Sequence, residues 1–111
     1  MNGQFVFKNA VTRFSEVINE GLDANDLKKE DIDMLIPHQA NLRIAQFIQK
    51  KFQLSDDKVY NNIMSYGNTT AASIIIALTE AWEKGKIKEN DLVVLAAFGA
   101  GFTWGSVLIR W

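Results

Sequence analysis

Three short segments of this chain contain groups that can act on a substrate. His38 follows Pro37, and these are the only histidine and the only proline in the sequence. Asn68 follows Gly67, and a glycine-rich run occupies residues 98–102. A neutral imidazole and a side-chain amide each donate hydrogen bonds, and a glycine-rich turn can expose a backbone N–H. Donors of these kinds stabilise an oxygen on which negative charge develops, so the three segments are interpreted as parts of one oxyanion-stabilising site.

Each segment also has a structural interpretation that the residues alone leave open. A single histidine is more often a satisfied core or surface residue than a functional one. Asn68 can serve as the N-cap of a following helix. Residues 98–102 can form a tight hairpin without any chemical role, and the small side chains of residues 69–73 favour close helix packing.

The spacing of apolar residues predicts helices alternating with strands. The predicted helices span residues 5–22, 27–30, 41–52 and 69–84, and the predicted strands span residues 33–37, 59–63, 92–98 and 103–111. Gly21 and Asn25 are expected to end the first helix, and Asp26 to cap the short helical turn after it. The run 92–98 is apolar throughout, which is typical of a strand covered on both faces. The short link at 99–101 predicts an antiparallel final strand.

This order of elements indicates an α/β layered fold, with a mixed, mostly parallel sheet and helices packed against it. Such sheets bind ligands at the carboxyl ends of their strands. His38 follows one predicted strand, Asn68 lies between a predicted strand and a predicted helix, and residues 99–101 follow another strand. The topology therefore predicts that the three segments meet at one edge of the sheet.

The composition is that of an ordinary globular domain and excludes several classes of site. The 111 residues suffice for one domain, with 48% hydrophobic residues and a net charge of −1. That charge gives no overall attraction to nucleic acid or to an anionic membrane. With no cysteine and one histidine, these residues exclude a disulfide framework and a multi-histidine metal site. No signal-peptide pattern and no apolar run of transmembrane length occurs, so a cytoplasmic location is expected.

Two further patterns suggest surfaces for partners. The predicted helix at 69–84 contains Ile74–Ile76 and is more apolar than one small sheet can cover, so we expect an exposed apolar face and self-association. Arg43 lies seven and eight positions before Lys50 and Lys51, which puts these cations on one helix face. With Lys8 they are either a solvated face or a docking surface for an acidic protein.

Long motifs in the chain resemble those of a known enzyme family. Ile36–Ile44 reads Ile-Pro-His-Gln-Ala-Asn-Leu-Arg-Ile, Gly67–Ser73 reads Gly-Asn-Thr-Thr-Ala-Ala-Ser, and Phe98–Ser106 reads Phe-Gly-Ala-Gly-Phe-Thr-Trp-Gly-Ser. Over essentially its whole length the chain resembles the C-terminal half of the β-ketoacyl-acyl-carrier-protein synthase III family. The resemblance implies the thiolase fold, in which two similar α/β halves pack around central helices. Residues 1–111 are then one C-terminal thiolase-like domain.

The resemblance also implies a reaction, because members of this family start fatty-acid chains. An acyl group passes from acyl-CoA to a cysteine, malonyl-acyl-carrier protein loses carbon dioxide, and the resulting carbanion attacks the acyl-enzyme. His38 and Asn68 match the histidine and asparagine that hydrogen-bond the malonyl thioester carbonyl and stabilise its enolate. The implied partners are CoA thioesters and the acyl carrier protein, and no cofactor is expected.

Further roles follow from the resemblance residue by residue. Phe98 matches a phenylalanine beside the catalytic histidine, and Ala100 matches a position whose backbone N–H helps to form an oxyanion hole. Gly3 and Asn41 match positions that line the pantetheine tunnel. The basic surface on which the acyl carrier protein docks is matched by Lys8, Arg43, Lys50 and Lys51.

The chain departs from the family in one respect, because it has no cysteine. The nucleophile belongs to the family's N-terminal half, which these residues do not contain, so we expect this polypeptide alone not to condense acyl groups. Full-length members are homodimers, and the missing N-terminal half is itself an expected partner. Two alternatives stay open: a module that binds the acyl carrier protein without chemistry, and a malonyl-thioester decarboxylase that needs only His38 and Asn68.

Overall fold

Helices and strands follow the order that the sequence predicts except at residues 59–66. The computed structural model describes residues 3–39, 41–99 and 103–111. The helices are α1 (Gly3–Ala24), α2 (Leu42–Lys51), α3 (Ile63–Tyr66) and α4 (Ser73–Glu83), and the strands are β1 (Met34–Pro37), β2 (Leu92–Gly99) and β3 (Thr103–Arg110). Short 3₁₀ turns occupy Lys29–Asp31, Asp56–Lys58 and Thr70–Ala72. No described helix is long and apolar enough to cross a membrane.

The three strands form one mixed sheet in the order β1-β2-β3. β1 and β2 run parallel, with Met34 opposite Val93, whereas β2 and β3 run antiparallel, with Leu92 opposite Arg110. The antiparallel pairing was predicted from the short link between the last two strands. The α/β class and the mixed sheet are confirmed, but the described sheet is not mostly parallel, because one of its two strand pairs is parallel and the longer one is antiparallel.

Helices cover the sheet on both faces, which explains the apolar character of β2. On one face, Leu92 and Val94 pack with buried residues of α1 and α2, among them Phe14 and Ile48. On the other face, Val93 packs with the buried alanines of α4. Because successive residues of a strand point to opposite faces, a strand between two helical layers has to be apolar at every position.

Gly21 lies inside α1, so the prediction that it helps to end this helix is wrong. A Cβ atom on Gly21 would lie 2.6 Å from Cδ1 of Leu108 and 3.1 Å from Oγ of Ser106 on β3. The same Oγ donates a hydrogen bond of 2.8 Å to the carbonyl oxygen of Val17 on α1. The glycine therefore provides the space in which β3 approaches the helix.

The turn after α1 also differs from the prediction. Asn25 directly follows the helix, as expected, but the 3₁₀ turn begins at Lys29 rather than at residue 27. Asp26 has a φ angle of +55° and makes no cap to this turn. Instead, the backbone N–H of Lys28 donates to the Asp31 carboxylate at 2.8 Å.

Residues 59–63 do not form the predicted strand. Val59 makes one isolated parallel bridge with Leu35 of β1, and the N–H of Tyr60 donates to the carbonyl oxygen of Leu35 at 3.0 Å. The chain then enters α3 at Ile63, so the contact with the sheet ends after this single bridge.

α4 covers one face of the sheet and exposes its own outer face. Ala77 and Ala81 are fully buried, whereas Ile75 and Trp82 are 61% and 56% exposed. The apolar face that the sequence predicts is therefore uncovered among the described residues. Self-association through this face stays a prediction.

Ile48→Ala should destabilise the chain far more than Ile75→Ala. Both residues lie inside helices, but Ile48 is fully buried and Ile75 is 61% exposed. A buried isoleucine truncated to alanine costs about 2–5 kcal/mol of unfolding free energy, whereas an exposed change costs within about 0.5 kcal/mol. Urea denaturation of the two variants measures this difference, and equal losses would contradict the assignment of Ile75 to an open face.

Candidate functional site

A cleft of about 730 Å³ opens at the carboxyl ends of β1 and β2. His38 follows β1, and its N–H donates to the carbonyl oxygen of Ala96 on β2 at 2.8 Å, so the backbone hydrogen bonds of the sheet continue to the histidine. Asn68 and Phe98 line the same cleft. The structure therefore brings these three predicted site residues together at one edge of the sheet.

The imidazole of His38 is half-buried and held from one side. Its Nδ1 is hydrogen-bonded to Oγ of Ser73, the first residue of α4. Burial lowers the pKa of His38, because the imidazolium would lose solvation, so the ring is neutral at neutral pH. No described residue is hydrogen-bonded to Nε2, which is therefore available to a ligand. The described residues also contain no cluster of three or more side chains that could hold a metal ion.

The side-chain amide of Asn68 is exposed and oriented by the backbone. Its Oδ1 accepts a hydrogen bond of 2.8 Å from the N–H of Thr70, at the beginning of the 3₁₀ turn. Gly67, with a φ angle of +69°, ends α3 and brings the chain to Asn68. Oδ1 thus orders the turn that leads to α4, but Asn68 is not the helix N-cap that was its alternative interpretation, because Thr69 precedes the 3₁₀ turn and Ala72 precedes α4. Its Nδ2 has no acceptor among the described residues.

Gln39 joins the segments of the site, a role for which the sequence contains no local signal. Its side chain is buried, and its Nε2 donates to the carbonyl oxygen of Pro37 at 2.7 Å. Its Oε1 accepts from the N–H groups of Asn62 and Ile63 at 2.9 Å and 3.1 Å. These are the first N–H groups of α3, so Gln39 satisfies a helix N-terminus from a distant part of the chain.

Ser73 is the second residue that was not predicted to take part. The small side chains of residues 69–73 were interpreted as a packing feature, and Ser73 is indeed 1% exposed. Its Oγ, however, also accepts a hydrogen bond of 3.2 Å from the N–H of Gln39, next to its contact with His38. The start of α4 is therefore fixed to the segment that carries the histidine.

Aromatic rings form one wall of the cleft. Phe98 and Trp104 are opposite each other on β2 and β3, and their rings stack with centroids 6.5 Å apart. Phe14 of α1 packs against Phe98 at 6.4 Å. The guanidinium of Arg13 lies 4.9 Å from the centre of the Trp104 ring. This apolar wall lowers the local dielectric constant, which strengthens any hydrogen bond made beside it.

Three other predicted residues are not among the described residues that line this cleft. Ala100 lies outside the described residues. Gly3 is the first residue of α1, and Asn41 precedes α2, where its Oδ1 accepts from the N–H of Arg43 at 2.8 Å. Neither Gly3 nor Asn41 is among the described residues that line the cleft. The structure gives Asn41 a helix-capping role, and contact with pantetheine stays a prediction for both.

The predicted basic patch is exposed throughout, and its members are Lys8, Arg43, Lys50 and Lys51. The Arg43 guanidinium lies 5.3 Å from the centre of the Phe7 ring, so α1 and α2 present their cations on neighbouring surfaces. The exposed ring of Phe47 meets Phe7 edge-on at 5.9 Å. In the described part of the chain, none of the four cations is paired with a carboxylate.

Comparison with protein families gives one match that covers most of the chain. The family model described as "3-Oxoacyl-[acyl-carrier-protein (ACP)] synthase III C terminal" matches residues 22–111. The match therefore includes β1, β2, β3 and every described residue that lines the cleft.

Individual proteins and structures agree with this match. The chain is 53% identical over 111 residues to the β-ketoacyl-[acyl-carrier-protein] synthase III of Caldanaerobacter subterraneus subsp. tengcongensis, and 49% identical over 110 residues to that of Campylobacter jejuni. These alignments cover 100% and 99% of this chain but 34% of each relative, so the chain spans about a third of their length. The crystal structure of the synthase III from Aquifex aeolicus superposes with a TM-score of 0.96 at 47% identity, over 100% of this chain and 36% of that one.

Below the ordinary pKa of histidine, His38 should make the fold less stable. Because burial lowers its pKa in the folded state, the unfolded chain takes up the proton first as the pH falls. The contribution of His38 to the free energy of unfolding is therefore fully present above the pKa that His38 has in the unfolded chain. It declines as the pH falls from that pKa to the lower pKa of His38 in the folded chain. Urea midpoints of the wild type and of His38→Asn, which keeps a hydrogen-bond acceptor near Ser73, should converge as the pH falls through this window. A difference that is constant or grows toward acid would contradict the assigned pKa direction.

Proposed function

The chain belongs to the 3-oxoacyl-[acyl-carrier-protein] synthase III family, as its C-terminal part, and from this premise we propose that it supplies half of the active site of a condensing enzyme that starts fatty-acid synthesis. The reaction is a decarboxylative Claisen condensation of an acyl-CoA primer with malonyl-acyl-carrier protein. His38 and Asn68 stabilise the enolate formed from the malonyl thioester.

One observation supports this proposal: His38 and Asn68 line one cleft, and each has a side-chain nitrogen without a partner among the described residues. His38 Nε2 and Asn68 Nδ2 have no partner among the described residues, although the opposite atom of each group, Nδ1 and Oδ1, is held by the protein. Donors that are oriented in advance need no reorganisation when charge develops beside them. A thioester oxygen that gains negative charge is the acceptor that suits them both.

The chemical step then follows from the distribution of charge. The bond between the malonyl α-carbon and its carboxylate breaks, carbon dioxide leaves, and the electron pair spreads from the α-carbon onto the thioester oxygen. His38 and Asn68 hydrogen-bond that oxygen and lower the energy of the enolate. The α-carbon next attacks the carbonyl carbon of the acyl-enzyme, and the cysteine sulfur leaves as the thiolate.

The nucleophile has to come from outside these residues, because the sequence has no cysteine. The relatives are about three times as long as the matched region, which leaves room for the family's cysteine-bearing N-terminal half. We therefore propose that the 111 residues alone do not condense acyl groups. A homodimeric state and a cytoplasmic location belong to the same proposal.

The basic patch is proposed as the docking surface for the acyl carrier protein. Its four cations are exposed and have no carboxylate partner among the described residues, so their charges are available to an acidic protein. Arg43 is also stiffened by its contact with Phe7, which reduces the entropy lost on docking.

The remaining roles complete this proposal. Phe98 excludes water from the imidazole as part of the aromatic wall. Ala100 supplies a backbone N–H to an oxyanion hole, and Gly3 and Asn41 contact the pantetheine arm.

A second candidate function is a module that binds the acyl carrier protein without chemistry, and the exposed basic patch favours it. The two functions differ in their response to reconstitution. When the chain is joined to a cysteine-bearing N-terminal half, the enzyme forms acetoacetyl-carrier protein from acetyl-CoA and malonyl-carrier protein. The binding module retains the carrier protein but shows no turnover in any reconstitution.

His38→Ala and Asn68→Ala should each slow malonyl decarboxylation by the reconstituted enzyme about 10²- to 10³-fold, because each removes one donor to the developing oxyanion. Carbon dioxide release measures this step, and transfer of the primer from acetyl-CoA to the cysteine should continue in both variants. Lys88→Ala, an exposed change before β2 at the end of the sheet opposite the cleft, is the control. Decarboxylation at the wild-type rate in either donor variant would contradict the assigned role.

Arg43→Glu should raise KM for malonyl-acyl-carrier protein roughly tenfold, equivalent to about 1.4 kcal/mol, and leave KM for malonyl-CoA unchanged. Lys88→Glu is the matched control, because Lys88 is an exposed cation before β2, at the end of the sheet opposite the cleft. Steady-state kinetics with the two malonyl donors separate protein docking from chemistry. An equal loss with both donors, or from both variants, would count against a docking role for Arg43.

A further inference from the structure

Ser73 occupies an unusual position for a serine at the start of a helix. It is 1% exposed, and its Oγ faces Nδ1 of His38 and the N–H of Gln39. A buried serine in a helix ordinarily donates its proton to a carbonyl oxygen one turn earlier. Ser15 in α1 does this, with 2.7 Å from its Oγ to the carbonyl oxygen of Val11. Ser73 makes no such bond among the described residues.

The direction of the hydrogen bond between Ser73 and His38 follows from counting protons. A serine hydroxyl has one proton to donate and accepts through two lone pairs. The N–H of Gln39 donates to Oγ, which uses one lone pair. If Nδ1 of His38 also donated, the hydroxyl proton would be buried without an acceptor in the described part of the chain, which is unfavourable. Ser73 therefore donates to Nδ1.

This direction fixes the tautomer of the histidine. A neutral imidazole carries one proton, and the nitrogen that accepts a hydrogen bond is the one without it. Since Nδ1 accepts from Ser73, the proton resides on Nε2, the ring nitrogen that has no described partner.

We propose that Ser73 is a positioning residue, which with the backbone of Gln39 holds His38 in the Nε2–H tautomer and so makes it a hydrogen-bond donor to the substrate. The proposal rests on the donor role given to His38 in the proposed function. In the other tautomer, Nε2 would present a lone pair to the developing oxyanion and repel it.

Two structural features make this arrangement firm. Ser73 begins α4, whose following residues Ala77 and Ala81 are fully buried, so the backbone of Ser73 is held with the packed helix. The N–H of Gln39 comes from a residue whose own side chain is buried and hydrogen-bonded. The hydroxyl is therefore oriented from both sides.

The test is nitrogen NMR of the imidazole in the 111-residue chain, in which His38 is the only histidine. At neutral pH, ¹⁵N-labelled wild-type protein should show an unprotonated Nδ1 and a protonated Nε2. Ser73→Ala should shift both signals toward the averaged values of a mixture of tautomers, and Ser73→Thr, which keeps the hydroxyl, should restore the wild-type spectrum. Ser15→Ala, also a buried helical serine, should leave the ring signals unchanged.

The outcomes that overturn the proposal are equally specific. A proton on Nδ1 in the wild-type protein would overturn the proposal without any variant. A Ser73→Ala protein that is folded by circular dichroism and keeps the wild-type tautomer would also overturn it. In the reconstituted enzyme, Ser73→Ala should lower kcat for decarboxylation about tenfold, as loss of an orienting partner does elsewhere, with KM unchanged. A change in KM alone would contradict positioning.

This design separates the two proposals. If His38→Ala leaves decarboxylation unaffected, the proposed function fails, while the spectra still decide the tautomer. If the wild-type spectrum shows a proton on Nδ1 and His38→Ala still abolishes decarboxylation, only the role of Ser73 fails.

Discussion

The buried side-chain amide of Gln39 is the contact on which the cleft depends. It bonds to the carbonyl oxygen just before His38 and to the two N–H groups that start α3, the helix that leads to Asn68. Each buried N–H left without an acceptor costs about 1–3 kcal/mol. This amide therefore fixes the start of α3 relative to the segment that follows β1. The backbone of the same residue binds Ser73 and thereby adds α4 to the junction.

The environment of His38 has to meet two requirements: apolar surroundings and hydrogen-bond partners for the polar ring. Burial keeps the ring neutral, since it lowers the pKa, and the aromatic wall at Phe98 and Trp104 keeps the surroundings apolar. A donor in an apolar cleft binds a developing oxyanion strongly, but a buried polar group needs partners to be stable. One side of His38 and of Asn68 is hydrogen-bonded by the protein, and the other side has no partner among the described residues, which is what the proposed donor roles require.

Much of the fold could be predicted from the sequence, because local patterns determine it. Helical spacing gave α1, α2 and α4, and the apolar run from Leu92 gave a strand buried on both faces. Residues 59–63 were misjudged, because a short run with apolar ends has the pattern of a strand whether or not a neighbouring strand is available to pair with it. Gly21 was misjudged, because its role is to let β3 approach, and no local pattern records a partner so distant in the sequence.

The site was predictable only in part, for a related reason. His38 and Asn68 were identified by their types, by their places after predicted elements and by the family resemblance. Gln39 and Ser73 were not identified, because their hydrogen bonds join positions more than twenty residues apart. A crystal structure of the reconstituted enzyme with a stable malonyl thioester analogue would test whether His38 and Asn68 share one thioester oxygen. We expect the analogue's carbonyl oxygen at about 3 Å from both His38 Nε2 and Asn68 Nδ2. An analogue bound with that oxygen on neither group, or on one of them alone, would contradict it.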